Sequence, residues 1–509
     1  MLEKIGKLGE LFGQNKSNHP LADAKEFRKV VAALPNDRPQ KALDEITDWL
    51  GSVREADDLP PTRLYEIVCE LDEAAQRHVF KLSRDYLRAP RLARAEEQKL
   101  FKAINGFWLE AAAAYERCLA LSKEKDRAAA SLRESLPLLC TRLIASLGQV
   151  VKSEIYRYGP LTNSLWLRLG IAYAAAEAAG VAKKSVQLYP RQPATTTPEH
   201  EYLRAAVLQT SSLDALLPAQ IELAERLVDY YLPGFMMAPQ SSKESVYWVD
   251  LGQPQPPVRL ARMPKQVVST LRYFHPARAH LQVAQLVSEL ERGGHPPADL
   301  KFGSEIAVKY LLPVLSHLAN CWAPLPPQRK HARYPVKHRM AVTAGLSNAI
   351  AAMAGQGDGA AVESWVVENV SRGGFGTVVA EPRAEWFKIG SLLGMQPEGG
   401  ENWLLGVIRR YHRSSEKEAQ VGIQTLSRQA VPVEMKPRRS AGYVAATTVH
   451  GLWLQDSGDE REMRFVLPLA TFDLREPMEI WLEGRGRVLA PVTLVEQVGD
   501  YEIARYRLN

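Results

Sequence analysis

Apolar positions recur at three- and four-residue spacing through most of the first 320 residues and at two-residue spacing through most of the remainder. The first period belongs to helices with one buried face, the second to strands. Leu64, Ile67, Val68, Leu71, Ala75, Val79, Leu82 and Tyr86 form the clearest helical stripe, opened by Pro60-Pro61-Thr62 and closed by Pro90. Further helices are expected over about 25–34, 39–51, 97–123, 127–153, 163–188, 199–211, 213–232, 276–292 and 300–320. Thr197-Pro198-Glu199 supplies a helix start: a capping hydroxyl, a proline at the first helical position, then a carboxylate. Ser245–Asp250 and Pro257–Arg262 alternate like a short hairpin, and Tyr189–Pro198, with three prolines, reads as a loop.

Trp166, Leu169, Gly170 and Tyr173, followed by Ala182 and Val186, resemble a tetratricopeptide hairpin, in which small residues let two helices approach. Trp108 echoes the start of that pattern, but 58 positions separate the two tryptophans, which is no multiple of 34. The expectation for residues 1–320 is therefore an all-helical bundle or irregular solenoid, with a subdomain break near 190–200 or 240–265. Leu2, Ile5, Leu8, Leu11 and Phe12 also fall on one helical side, opposite Lys4 and Lys7, and read as a short helix docked on its own domain or, as the alternative, against a membrane surface or a partner.

Helical periodicity stops near Cys321. Pro324, Pro326 and Pro327 stiffen a linker over 321–332. Six candidate strands follow: Val336–Ala344, Ser364–Ser371, Phe375–Ala380, Phe387–Met395, Trp403–Tyr411 and Ala419–Leu426. Six antiparallel strands of this length suit a small closed barrel over 333–430, with Ala349–Ala361 as an inserted loop or short helix. After a break at Met435–Ser440, a second β-rich domain over 440–509 is expected, with strands near Tyr443–Gln455, Glu462–Leu467, Met478–Leu482, Val488–Glu496 and Glu502–Arg507. Gly484-Arg485-Gly486-Arg487 reads as a tight turn. The fold class is multidomain α+β.

Composition narrows the function. A net charge of +6 over 509 residues, with 24% charged and 46% hydrophobic residues, does not imply a global polyanion binder, and no nucleic-acid partner is expected. Cys69, Cys118, Cys140 and Cys321 form no CxxC pair, which points to a reducing compartment and to no zinc site. The most apolar run, Leu136–Val151, carries Arg142 and makes a poor membrane span. Met1-Leu2-Glu3-Lys4 opens no secretion signal, so the expected location is cytoplasmic. P-loop, HExxH, GxSxG and dinucleotide fingerprints do not appear, and His275 and His280 are a poor metal pair. No catalytic residue, metal ligand or cofactor is expected, and the chain does not read as an enzyme.

Two short motifs carry the chemistry. Arg329-Lys330-His331-Ala332-Arg333 places two arginines four apart in the proline linker, and from Gln328 to Arg339 there are five Lys or Arg residues and no acid. Asn369-Val370-Ser371-Arg372-Gly373-Gly374 lies between two strands, with Asn369 36 positions after Arg333. A guanidinium can grip a phosphate with paired hydrogen bonds, read a guanine edge, or stack on a base. An asparagine and a serine add hydrogen bonds, and paired glycines allow close backbone approach. Together the motifs resemble the RxxxR and [D/N]xSxxG signatures of the PilZ domain family, bacterial receptors of cyclic di-GMP, over about residues 326–430.

That resemblance implies a six-stranded PilZ-like barrel binding cyclic di-GMP through Arg329, Arg333, Asn369, Ser371 and Gly374, with Lys330, Arg372 and Gly373 in supporting positions. Asparagine replaces the frequent aspartate, and the spacing is lengthened by the insertion at 349–361. It further implies a non-catalytic effector that reorients domains to regulate an unidentified protein partner through the helical or C-terminal β-domain, in motility, biofilm or exopolysaccharide control. The alternative is a degenerate scaffold that mediates protein contacts without nucleotide.

Overall fold

The computed structural model describes residues 17–88, 94–124, 127–160, 162–300, 307–325, 328, 331–355, 362–380, 386–415, 417–438, 448–455, 462–482 and 484–508. The proposed N-terminal helix, Arg329, Lys330 and part of the 349–361 insertion lie outside the described residues. The chain divides into two compact units. One comprises residues 1–157, 161–213 and 218–327; the other comprises 158–160, 214–217 and 328–509.

In the first unit, Leu64, Ile67, Val68, Leu71, Ala75, Val79 and Leu82 are all buried on one face of the helix Pro61–Arg88. They meet Ile46 and Leu50 of the helix Pro39–Glu55 and Phe107, Ala111 and Tyr115 of the helix Arg94–Leu121 in one core. The Thr197 hydroxyl accepts from the His200 amide at 3.0 Å and caps the helix Pro198–Thr210, as its sequence predicts. The expected helix 127–153 is two helices, Arg127–Glu134 and Leu136–Tyr156. Arg142, in the second of these, is 1% exposed and bonded to Glu73 at 2.6 Å and to the Leu188 carbonyl at 3.0 Å. Among the described residues no helix is long and apolar enough to cross a membrane.

The expected helix 163–188 ends at Ala178, because Gly180 turns the chain with positive φ. Val186 instead pairs with Thr196 in a two-stranded ribbon, so no tetratricopeptide hairpin forms. The expected hairpin is present but sits in a larger antiparallel sheet, ordered Met236–Ala238, Leu271–His275, Tyr247–Asp250, Val258–Arg259. Gly170 is approached by that sheet's connecting backbone and not by a second helix: a Cβ there would overlap the Leu251 carbonyl oxygen and lie 2.7 Å from its carbon.

In the second unit, six strands close a barrel. They are β1 (Tyr334–Ala344), β2 (Glu363–Ser371), β3 (Gly374–Ala380), β4 (Leu392–Pro397), β5 (Leu404–Ser415) and β6 (Glu418–Ser427). Around the barrel the order is β4-β5-β6-β3-β2-β1, antiparallel throughout, closed by β4 against β1. Met340, Trp365, Val379, Met395, Ile408 and Ile423 fill the interior. The helix Leu346–Met353 forms part of the expected insertion.

The segment expected as a break at 435–440 begins differently. Ala430–Pro437 is the first strand, β7, of a second closed barrel, with Met435 fully buried. Met435, Lys436 and Pro437, expected in the break, pair with Ile480, Glu479 and Met478. The rest are β8 (Val449–Leu454), β9 (Glu462–Pro468), β10 (Met478–Leu482), β11 (Arg485–Val498) and β12 (Tyr501–Leu508), ordered β7-β8-β9-β12-β11-β10. Only Gly484 of the Gly-Arg-Gly-Arg segment is outside a strand, since Arg485 already pairs with Leu482. The two barrels have the same connectivity, and Leu405, Val407, Leu452, Val466 and Tyr501 form one apolar cluster between them.

Alanine at a helix interior normally gains about 1 kcal/mol over glycine. At Gly170 the overlap with Leu251 outweighs that gain, at a cost of about 2–3 kcal/mol for a forced backbone shift. Gly170→Ala is therefore expected to lower the melting temperature of the full chain by several degrees, read by differential scanning calorimetry.

Candidate ligand-binding site

The alternation of inward apolar and outward polar residues is broken in both β2 and β5. Val366 and Val367 are followed by Glu368 and Asn369; Ile408 is followed by Arg409 and Arg410. Both places are bulges. Val367 pairs with Thr377 and Asn369 with Gly376, so Glu368 is the extra residue. Ile408 pairs with Ile423 and Arg410 with Gly422, so Arg409 is the extra residue. A bulge sets two residues of one strand against one of its neighbour and re-aims side chains. Here each bulge adds a polar side chain to the barrel's outer face.

Between the bulged strands lie β3 and β6, where Gly376 pairs with Gly422. Asn369, Gly376, Gly422 and Arg410 thus occupy one row across four strands. Its two central members have no side chain. At about 4.8 Å per strand the row spans roughly 14 Å. The bare positions are required locally. A Cβ at Gly376 would strike the Asn369 carboxamide, and one at Gly422 would come 3.0 Å from Cβ of Arg410.

Over this floor is a cavity of about 460 Å³. Arg333, Asn369, Ser371, Gly373 and Gly374 of the sequence motifs line it together. The two motifs therefore meet at one site, as far as the described residues reach. Arg372 points elsewhere: it is exposed, does not line the cavity, and its carbonyl accepts from Arg428 at 3.2 Å. Ser371 and Gly374 pair across the two-residue turn, and the Ser371 hydroxyl donates to the Gly374 carbonyl at 3.3 Å. His331 also lines the cavity, its Cδ2 3.2 Å from where a Cβ of Gly373 would be.

Several lining groups belong to no motif: Arg409, Arg410 and His412 on β5, Gln420 and Gln424 on β6, and Asp214. The consecutive polar pair Arg409-Arg410 inside an alternating strand was the sequence signal available for the two arginines. Arg409 donates to Gln424 at 2.8 Å and forms a two-pronged ion pair with Glu496. Burial alone would lower its pKa, but the Glu496 carboxylate raises it, so the guanidinium stays charged. Arg410 donates to both oxygens of Asp214, at 2.6 and 3.1 Å. Burial lowers the pKa of His412, Asp214 opposes this, and Arg410 adds to it, which favours neutral imidazole at pH 7. The chemistry is that of a concave anion site with amide groups at its edges and a flat backbone floor.

Gly374 is the tightest point. Its φ is 153°, and a Cβ would overlap the Ile423 carbonyl oxygen and lie 2.9 Å from the carbonyl carbon. Gly374→Ala is expected to destabilise by about 2–4 kcal/mol, because β3 and β6 must separate locally. Gly355→Ala is the control: its φ is also positive, at 74°, but nothing lies within 4 Å of its Cβ. It should cost about 1–2 kcal/mol, the left-handed backbone penalty alone. Urea unfolding of the two variants would measure the difference.

Two family models match the chain. One, described as the N-terminal domain of the cyclic-di-GMP receptor FimW, matches residues 25–240. The other, described as the middle PilZ domain of the same receptor, matches residues 359–432. Together they span more than half of the 509 residues. The second match includes the bulged end of β2, the Ser371–Gly374 turn and all of β3, β5 and β6. No curated protein gives a significant match.

Proposed function

As this chain belongs to the FimW family of cyclic-di-GMP receptors, we propose that the cavity over β2, β3, β5 and β6 is where it binds cyclic di-GMP. The observation that carries the reading is the meeting of Arg333 with Asn369, Ser371 and Gly374 around one cavity. The ligand has two phosphodiester charges and two guanine bases. Arg333, with Arg329 and Lys330 on the same linker, supplies the cationic wall. Asn369 and Ser371 supply hydrogen bonds to a base edge or phosphate, and Gly373 and Gly374 let the ligand approach the backbone.

The activity is that of an effector and not of an enzyme. Binding at the junction of the arginine linker and the barrel reorients the neighbouring domains and so changes what the chain presents to a protein partner, through the helical unit or the second barrel. A ligand shifts such an equilibrium only by as much as it favours one state over the other. Control of motility, biofilm or exopolysaccharide in the bacterial cytoplasm is the setting this role fits.

Each well-placed arginine contact to a guanine edge is worth roughly 1–3 kcal/mol. Titration calorimetry with cyclic di-GMP should show wild type binding, with Arg333→Ala weakened about ten- to a hundredfold and Ser371→Ala weakened less. Equal heats from all three proteins would remove this site and favour a scaffold that meets its partner without nucleotide.

A further inference from the structure

The two arginines at the β5 bulge belong to neither sequence motif, and their ion pairs differ. Arg409 is committed: Glu496 engages two of its nitrogens and Gln424 the third. Arg410 stands at the end of the row that starts at Asn369 and crosses Gly376 and Gly422. Its stem runs beside Gly422, and its side chain is 53% exposed. Its fork is taken by the carboxylate of Asp214, which also lines the cavity.

A carboxylate and a phosphodiester present the same feature to a guanidinium, two oxygens spaced for a parallel pair of N–H donors. The Asn369 carboxamide lies over Gly376, and the bare Gly422 beside it leaves the cavity open between that amide and Arg410, where a planar base can lie. A base lying there would bring its attached phosphate toward one end of the row.

We propose that Arg410 is a further ligand-binding residue of this cavity, and that Asp214 is its built-in competitor, displaced when a phosphodiester of cyclic di-GMP takes the fork. The inference rests on the cyclic di-GMP reading of the site. It makes Asp214 a setting of the binding threshold: the ligand must first break an existing ion pair, and the apparent affinity is the intrinsic one multiplied by the fraction of molecules in which Arg410 is released from Asp214.

The test is calorimetry of the full chain with cyclic di-GMP, comparing wild type, Arg333→Ala, Arg410→Ala, Arg410→Lys, Asp214→Asn and the Asp214→Asn/Arg410→Ala double variant. Arg410→Ala should weaken binding about ten- to a hundredfold. Arg410→Lys, which keeps charge but loses the fork, should fall between it and wild type. Asp214→Asn, nearly isosteric, should bind about three- to tenfold more tightly, and the double variant no more tightly than Arg410→Ala alone. Should Arg410→Ala fail to fold, Asp214→Asn and Arg410→Lys still decide.

An Arg410→Ala affinity within twofold of wild type, or an Asp214→Asn affinity equal to or weaker than wild type, overturns the proposal. A melting temperature lowered by Asp214→Asn without tighter binding would assign the pair a purely structural role and overturns it equally. The two readings separate cleanly. Binding that Arg333→Ala weakens and Arg410→Ala does not overturns this inference alone. Absence of binding to wild type overturns both.

Discussion

Gly376 and Gly422 face each other across β3 and β6, and the missing side chains at those two positions condition every polar group around them. With any larger residue at Gly376 the Asn369 carboxamide would be pushed aside, and a larger residue at Gly422 would crowd the Arg410 stem. On a closed barrel the outer face is normally paved by alternate side chains. Removing two from adjacent strands opens a trough the depth of a side chain, floored by peptide groups. The two bulges then thicken its rims, adding Glu368 on one side and Arg409 on the other. The cavity is thus a consequence of register: two glycines in line, with the extra residues Glu368 and Arg409 next to them in the flanking strands.

The second barrel shows that connectivity alone does not make such a site. It repeats the order of the first strand for strand. Yet Arg464 of β9 pairs with Arg505 of β12, where the corresponding strands of the first barrel bring two glycines together. Met463, Phe465, Ala504 and Tyr506 alternate with them and fill the interior, so both arginines belong to the outer face. Glu462 accepts from Arg505 at 3.0 Å and from Arg507 at 3.3 Å, and these bonds hold its pKa below the ordinary carboxylate range. The same scaffold is paved in one copy and bare in the other. Function lives in what is set on the fold.

How far the sequence exposed this depends on the length scale of each signal. The stripe from Leu64 to Leu82 and the cap at Thr197 are local, and both were legible. So were the strands of the first barrel to within a few residues at most ends, and the motif residues Arg333, Asn369, Ser371 and Gly374 that the fold gathers. Gly376 and Gly422 were not legible as a pair, because 46 positions separate them in the sequence and only the β3–β6 register joins them. Asp214 lies still farther from Arg410, 196 positions away. Ala430–Pro437 was missed for the opposite reason. The basic run Lys436, Arg438 and Arg439 marked a break there, and tertiary pairing overrode it: Met435, Lys436 and Pro437 pair with Ile480, Glu479 and Met478. Strands Met236–Ala238 and Leu271–His275 are too short to display a period.

The contrast between Arg142 and Arg410 shows why two arginines, each bound to a carboxylate, have opposite prospects. Arg142 lies 1% exposed, paired with Glu73 at 2.6 Å and under the charge of the buried Asp72, which accepts from Tyr115 at 2.8 Å, from Gln76 at 2.7 Å and from Tyr189 at 3.2 Å. Burial pushes the Asp72 carboxyl up, and Arg142 and these donors pull it back. A charge in that position cannot trade partners, since removing one leaves another uncompensated out of water, a loss of about 3–5 kcal/mol. Arg410 is half exposed, and in high dielectric an ion pair gains little net energy because solvent and incoming anions can replace either partner. What makes an arginine available to a ligand is therefore not that it lacks a partner but that its partner can be replaced at small cost. By that criterion the buried network of the helical unit is framework, whereas the β5 bulge offers one arginine tied to the barrel through Glu496 and one whose counter-ion, Asp214, itself lines the cavity.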